Sequence, residues 1–321
     1  MPTLAVLLEL YFCSVPMLAQ WRQTLTLNDR LRLADKTAYH ILSEVYKLHR
    51  RFEYVPISLL EKDTGVPHDI AVKVLLRLSE AGIVRSRVVS GELSFQLTFA
   101  GVNVLSAIAL IRRGVVAGVG DRIGVGKESE VYIAWTPSGA PVSLKFHEEG
   151  ARSFRSMARR RAYGRRDRRA PWLDVAIESA ERELRALVMV NSLGGAVPRP
   201  LTSELNCVVT EYIEGVELTS VKGLSEEQAT KVLNDVVDTI RIAFKEAGIV
   251  HGDLSPYNVL VSAGETLRGY IIDWPQYVST SDPAAMSLLA NDVKRIAAYF
   301  NKNFGLTVNA EDLLRRITGS S

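Results

Sequence analysis

Only two cysteines occur in 321 residues, Cys13 and Cys207, far apart and without a C-x-x-C pair, and the five histidines show no ligand spacing. That scarcity excludes a disulfide framework and a structural zinc site, and it fits a reducing, cytoplasmic setting. Long apolar runs are also missing. The nearest to one, residues 4–19, is broken by Glu9 and Pro16, has no basic segment before it and no A-x-A site after it. Neither a signal peptide nor a membrane span is therefore expected, and residues 1–27 read as an amphipathic or poorly packed N-terminal extension, in which Met17 offers a second start. No internal repeat is present. What the chain has in quantity is apolar residues, 47% of the total, ample for packed cores. At roughly 150 residues per domain its length gives about two domains.

The net charge of +3 hides an uneven distribution. Residues 151–172 carry nine Arg against one Asp, a local +8 that leaves the rest of the chain at −5. Such a run reads either as a solvated loop or as a phosphate-backbone contact, because clustered Arg displaces counterions from nucleic acid and forms bidentate phosphate pairs.

Helical spacing of apolar residues runs through 29–50, and Pro56 with Ser58 opens a second short helix closed by Gly65. A third begins near Pro67, presents Ile70, Val74, Leu75 and Leu78 on one face and stops at Gly82. Then come "IVRSRVV", a Ser90-Gly91 turn and "ELSFQLT", whose Leu93, Phe95 and Leu97 alternate with polar residues as in a half-buried strand. Three helices and a hairpin over 28–113 predict a winged helix-turn-helix domain, with Lys73, Arg77, Arg85 and Arg87 on or beside the reading helix and wing. Its modest charge leaves protein docking as open as nucleic-acid reading. A further helix near 99–112 leads to a boundary at Arg113-Gly114.

Residues 114–321 have a different texture: strand, Gly-rich turn, strand, then a third strand "PVSLKF" that carries Lys145, then an amphipathic helix, more strands and long helices. Strands first and helices after predict an α+β, two-lobed domain. Singly, its polar residues are ordinary, since a Gly pair makes a turn and an Asp makes a cap. Their order is not. A Gly-rich hairpin, a strand Lys 19 residues after Gly126, a helix Glu, H-x-D-x-x-x-x-N over 251–258 and an Asp after an apolar strand make up the set that phosphoryl transfer from ATP requires. A triphosphate has to be neutralised by a cation on a rigid strand and by metal held between carboxylate and amide oxygens.

Backbone N–H groups from Gly124 through Gly126 and Lys127 to Ser129 would cover the phosphates, with Val131 also on the nucleotide side. Lys145 would touch the α/β-phosphates, and Glu183 would aim it, with Glu181 or Glu178 as substitutes. Asp253 would orient and deprotonate the acceptor, and Asn258 and Asp273 would hold Mg²⁺, or Mn²⁺ in its place. Backbone at Glu211 and Ile213 would meet adenine, with Thr210 flanking the pocket.

With those residues in view, "IGVGKESEVYIA", "LKFH", "HGDLSPYNVLV", "IIDWPQ" and "NDVKRIAAYF" make the chain resemble the winged-helix branch of the RIO family of atypical serine/threonine protein kinases, from about residue 27 to 304. The resemblance implies a compact kinase-like domain without an activation segment, in keeping with the lack of A-P-E after Asp273, and a loop between Lys145 and the helix Glu, where the Arg run falls. It also implies a role in small ribosomal subunit maturation, with the subunit precursor and its rRNA as partners through the winged helix and residues 151–172, and phosphorylation of a protein substrate or of itself. Ser129 stands where a third loop Gly would be, Ser255 replaces a catalytic-loop Lys, and D-W-P replaces D-F-G. In this family Asp273 is also a candidate phosphate acceptor, which would make the protein an ATPase-driven switch. The alternatives are an RNA-bound assembly factor that uses ATP for release, and a small-molecule phosphotransferase of the aminoglycoside type. Against the second stand the winged-helix pattern and "GVGKES", and the stretch after Asp273 is expected to be too short for its substrate subdomain.

Overall fold

The computed structural model describes residues 25–148, 172–263 and 266–319. Most of the N-terminal extension and all of the Arg-rich stretch except Trp172 lie outside the described residues. The described residues form two compact units, one from 25–120 with 172–174 and one from the rest.

In the first unit, α1 (Leu27–Leu33) starts with a capping box: the Thr26 hydroxyl accepts the Asp29 N–H and the Asp29 carboxylate accepts that of Thr26. The chain then breaks at Ala34, and the Asp35 carboxylate caps a new helix, α2 (Lys36–Leu48), by accepting the Ala38 N–H at 2.9 Å. The single helix expected over 29–50 is therefore two. β1 (Val55–Pro56) leads into α3 (Ile57–Thr64), which stops at Gly65 in the left-handed conformation. In α4 (His68–Glu80) the buried stripe is Ala71, Leu75 and Leu78, whereas Ile70 is 44% exposed and Val74 only half-buried. The expected face was rotated by one residue, because Ala71 is too small to mark it. β2 (Val84–Val89) and β3 (Glu92–Leu97) form a hairpin through Ser90-Gly91, and β1 adds to β3, giving the order β1-β3-β2. α5 (Phe99–Arg112), capped by Thr98, closes the unit. Lys73, Arg85 and Arg87 are exposed, but Arg77 is spent on its own fold, bonding Asp35 at 2.9 Å and the Leu33 carbonyl at 3.1 Å.

The second unit opens with β4 (Gly118–Val125), β5 (Ser129–Trp135) and β6 (Pro141–His147), crosses to α6 (Trp172–Ser192), and returns through β7 (Pro200–Glu204) and β8 (Cys207–Glu211). These strands make one five-stranded sheet ordered β4-β5-β6-β8-β7. In β6 the two-residue period that buries Val142, Leu144 and Phe146 turns Lys145 to the other face, where its register partner is Val131 of β5. A second sheet, β12-β11-β9, combines β9 (Gly215–Glu217), β11 (Val259–Ala263) and β12 (Leu267–Ile271). It packs with α7 (Glu226–Lys245), and β10 (Ile249–Val250) pairs with β13 (Val278–Ser279). α8 (Ala285–Phe304) and α9 (Ala310–Thr318) complete the unit. The core there gathers Val236, Ile240, Val261, Ile271, Trp274, Ile296 and Phe300. The class is the mixed helix and sheet one expected, but the strands do not all come first: β10 to β13 follow α7.

Candidate active site

The β4–β5 hairpin is pinned by the Gly126 N–H donating to the Ser129 carbonyl at 2.8 Å. A Cβ on Gly126 would sit 2.8 Å from the Ser129 hydroxyl, so glycine lets the turn close, while at Gly124 the nearest atom would be an ordinary 3.6 Å away. Lys127 is exposed, and Ser129 and Val131 are half-buried beside Lys145 on the adjoining strand.

Lys145 Nζ donates to Glu183 Oε1 at 2.8 Å and to Asp273 Oδ1 at 2.6 Å. Glu183, 3% exposed, bonds His147 Nε2 through its other oxygen at 2.6 Å. Burial by itself would favour neutral Lys145, but the Asp273 and Glu183 carboxylates overcome it and hold the ammonium's pKa above its ordinary value. Burial likewise opposes ionisation of Glu183, and Lys145 and His147 more than offset it, leaving the carboxyl well below the usual range. Of the three helix glutamates considered, Glu178 and Glu181 are exposed, and Glu181 pairs with Arg185 instead.

The segment 251–258 is held chiefly through its backbone and the His251 and Asn258 side chains. His251 Nε2 donates to the Ile272 carbonyl at 3.0 Å, and the ring lies 4.7 Å from that of Trp274. Burial keeps its pKa below normal, so the ring stays neutral. Asn258 Nδ2 donates to the Asp253 carbonyl at 2.9 Å, which leaves Oδ1 free to face a cation. Asp292 of α8, buried, accepts the N–H groups of Gly252 at 2.9 Å and Leu254 at 3.0 Å, the two residues flanking Asp253. Arg295, one turn on, bonds Asp292 at 3.1 Å and Asp253 at 3.2 Å. Burial raises the Asp292 pKa to about 6 against the pull of these N–H groups and of Arg295.

Asp273 follows β12 with φ +69°, and the Ile272 N–H bonds the Asn258 carbonyl at 3.0 Å, tying the two segments together. Arg182, next to Glu183 on α6, donates to the Pro275 carbonyl at 2.9 Å and to that of Tyr277, with its guanidinium 4.5 Å from the Tyr277 ring centre. Lys145, Glu183 and Asp273 are thus in direct contact, and Asp253 and Asn258 share one loop. At Glu211 the N–H donates to the Arg199 carbonyl at 2.9 Å and the carbonyl accepts the Thr210 hydroxyl at 3.1 Å. Ile213, half-buried, lies between β8 and β9.

Sequence reasoning did not single out His147, Arg182, Asp292 or Arg295. For Asp292 a signal existed: it falls within the apolar stripe of Leu289, Val293, Ile296 and Phe300, where a carboxylate needs a partner. Among the described residues no group of three or more His, Cys, Asp or Glu could hold a metal. One carboxylate and one amide oxygen suit a hard cation whose remaining ligands are phosphate and water, the usual habit of Mg²⁺. Among the same residues no helix is long and apolar enough to cross a membrane.

Residues 130–313 match the RIO domain. The chain is 30% identical over 287 residues to the serine/threonine-protein kinase rio2 of Schizosaccharomyces pombe, covering 88% of this chain and 82% of that one. It is also 30% identical over 276 residues to the rio2 kinase of Dictyostelium discoideum, of whose length it spans about half (51%), with 85% of this chain covered. In fold it is similar to the crystal structure of the Rio2 kinase–ADP/Mg²⁺–phosphoaspartate complex from Chaetomium thermophilum, with a TM-score of 0.75, 25% identity, and 91% of this chain and 88% of that one covered. A strand lysine clasped between a helix glutamate and the acid after β12 is an arrangement built for phosphoryl transfer, and with the domain matched over more than half its length the chain belongs to the RIO family of atypical serine/threonine protein kinases.

Proposed function

We propose that the protein transfers the γ-phosphoryl group of ATP, with Mg²⁺, through the site formed by Lys145, Glu183, Asp253, Asn258 and Asp273. The observation that carries this is the Lys145 ammonium between Glu183 at 2.8 Å and Asp273 at 2.6 Å, a charged donor held rigid at the metal-side acid. Lys145 neutralises the α/β-phosphates, and Glu183, fixed by His147, keeps it aimed. The hairpin from Gly124 to Ser129 presents backbone N–H groups other than that of Gly126, which the Ser129 carbonyl occupies, to the phosphates, with Lys127 and Val131 beside them, and the Glu211–Ile213 segment receives adenine. Asn258 Oδ1 and Asp273 hold Mg²⁺, which when bound offsets the charge on the transferring group. The solved relative carries Mg²⁺, not the alternative Mn²⁺. Asp253 orients the acceptor hydroxyl: the new O–P bond forms as the bond to ADP breaks, and the hydroxyl proton passes to Asp253.

A second destination for the phosphate has support of its own. The Chaetomium relative is a phosphoaspartate complex with ADP and Mg²⁺. Asp273, already 2.6 Å from the phosphate-binding lysine, would attack the γ-phosphorus through a carboxylate oxygen, ADP would leave, and water would later hydrolyse the acyl phosphate. The net reaction is ATP hydrolysis, suited to a switch. In this reading residues 28–113 form a winged helix, as the order α2, β1, α3, α4 and the β2–β3 hairpin, with β1 paired to β3, suggests, and 114–321 form the catalytic domain. The partner is the small ribosomal subunit precursor and its rRNA in the cytoplasm, met through exposed Lys73, Arg85 and Arg87 and through residues 151–172.

Incubation with γ-labelled ATP and Mg²⁺, with and without subunit precursor, separates the outcomes. Acid-stable label on protein supports transfer to Ser or Thr. Acid-labile label on the chain, or free phosphate, supports the switch. Absence of both refutes the proposal.

A further inference from the structure

Asp253 is two-thirds exposed, with its side chain 66% open to solvent, yet an acid that must meet an acceptor cannot swing freely. Its backbone is held on either side, because Asp292 accepts the N–H groups of both Gly252 and Leu254 and Asn258 Nδ2 donates to its carbonyl. None of those bonds fixes the carboxylate itself. Arg295 does. Its Nη1 donates to Asp253 Oδ1 at 3.2 Å, its Nη2 to Asp292 Oδ1 at 3.1 Å, and its Nε to the Asn291 carbonyl at 3.4 Å. All three sides of the guanidinium fork are used, and two of them join the exposed acid to a buried one. The planar fork sets direction as well as charge, which a single ammonium cannot do.

We infer that Arg295 is a positioning residue for the transfer step: it docks one oxygen of Asp253 against the anchor on α8 and leaves the other oxygen turned to the acceptor. The inference rests on the reading of Asp253 as the group that handles the acceptor. Arg295 lies on α8, outside the Lys145, Glu183 and Asp273 cluster, so its loss spares nucleotide binding and acts on chemistry alone. The Arg295 side chain is 41% exposed, and its removal leaves Asp292 with both backbone N–H bonds, so the fold survives.

The test uses the full-length chain with ATP and Mg²⁺, comparing Arg295→Ala, Arg295→Gln, Arg295→Lys and Asp253→Asn for total turnover, KM for ATP and thermal midpoint. For Arg295→Ala and Arg295→Gln, kcat is expected to fall between about tenfold and a hundredfold, the scale of an ångström-level misplacement, with KM for ATP unchanged within about twofold. Arg295→Lys recovers part of the loss, because charge returns without the fork. Unchanged kcat in both neutral variants alongside a strong defect in Asp253→Asn would overturn the role of Arg295 and leave that of Asp253 standing. If Asp253→Asn turns over normally, the reading of Asp253 fails first and the inference with it. Parallel shifts of kcat, KM and thermal midpoint in the neutral variants would reduce Arg295 to a structural residue and also overturn the inference.

Discussion

Replacing Asp292 by asparagine removes from the folded state a carboxyl whose pKa stands at about 6 against an ordinary 3.8. At about 1.4 kcal/mol per pH unit, that displacement corresponds to roughly 3 kcal/mol as an upper bound. The raised value belongs to an acid, so its sign is unfavourable on ionisation. Below the ordinary pKa both folded and unfolded chains keep the proton and there is no penalty. Between about pH 4 and 6 the unfolded chain has lost it while the folded chain has not, and stability declines as pH rises through this window. Above about pH 6 the full cost is present. Buried His251 pulls the other way, since its lowered pKa makes the unfolded chain bind more protons below its ordinary 6.5, so its own contribution grows with pH. A pH profile of the unmodified protein therefore mixes the two, and the informative quantity is its unfolding free energy minus that of Asp292→Asn. Urea unfolding from pH 4.5 to 7.5 should show this difference fall by up to about 2 kcal/mol as pH rises, about a third of the full effect lying below pH 4.5. Turnover should move oppositely, failing below about pH 6 as protonation weakens the hold of Asp292 on the Gly252 and Leu254 N–H groups and on Arg295. A flat or rising difference would refute the burial argument.

Glu183→Ala should cost about 2–3 kcal/mol, less than the usual loss for a broken buried pair because Lys145 keeps Asp273, while His147 is stranded at 1% exposure. Urea unfolding checks it, and a loss under about half a kcal/mol would contradict the value placed on the His147 bond. Gly101→Ala drives a Cβ to 2.2 Å from the Ile83 carbonyl oxygen, so the first unit should lose at least about 1–3 kcal/mol, visible as faster amide exchange in α5 than in α7. Unchanged exchange would show that the backbone gives way. Arg182→Met removes both carbonyl contacts to the segment after Asp273, and the Mg²⁺ concentration for half-maximal turnover should rise. An identical Mg²⁺ titration would mean that segment holds itself.

The loop 251–258 was legible because its chemistry is local: His, Asp and Asn at fixed spacing on one turn, with a strand following. Lys145 could be read as well, from its position in an apolar strand. The residues that hold these groups in place were not, since the contacts span the chain: Arg182 meets Pro275 across 93 residues and Asp292 meets Gly252 across 40. Spacing carries no trace of such a pairing. In the first unit the shift from Ile70 to Ala71 shows a different limit. A periodicity count weighs large side chains, whereas close helix packing prefers a small one at the point of contact. The break before Asp35 was masked in the same way, because Leu31, Ala38 and Leu42 keep a helical rhythm across it.

Asp273 adopts φ +69°, a backbone region that few L-residues enter without cost. The penalty is about 1–2 kcal/mol for most side chains, with glycine exempt and asparagine and aspartate the best tolerated of the rest. Geometry therefore narrows the alphabet at this position before chemistry is consulted, and of the three residues at ease there only aspartate brings an anionic oxygen. Glutamate keeps the charge but lacks the short side chain that tolerates this backbone, so drift between the two acids is closed here although it is open on most surfaces. The same constraint makes asparagine, not alanine, the clean probe of the carboxylate, since alanine would charge the backbone's strain to the account of the missing oxygen.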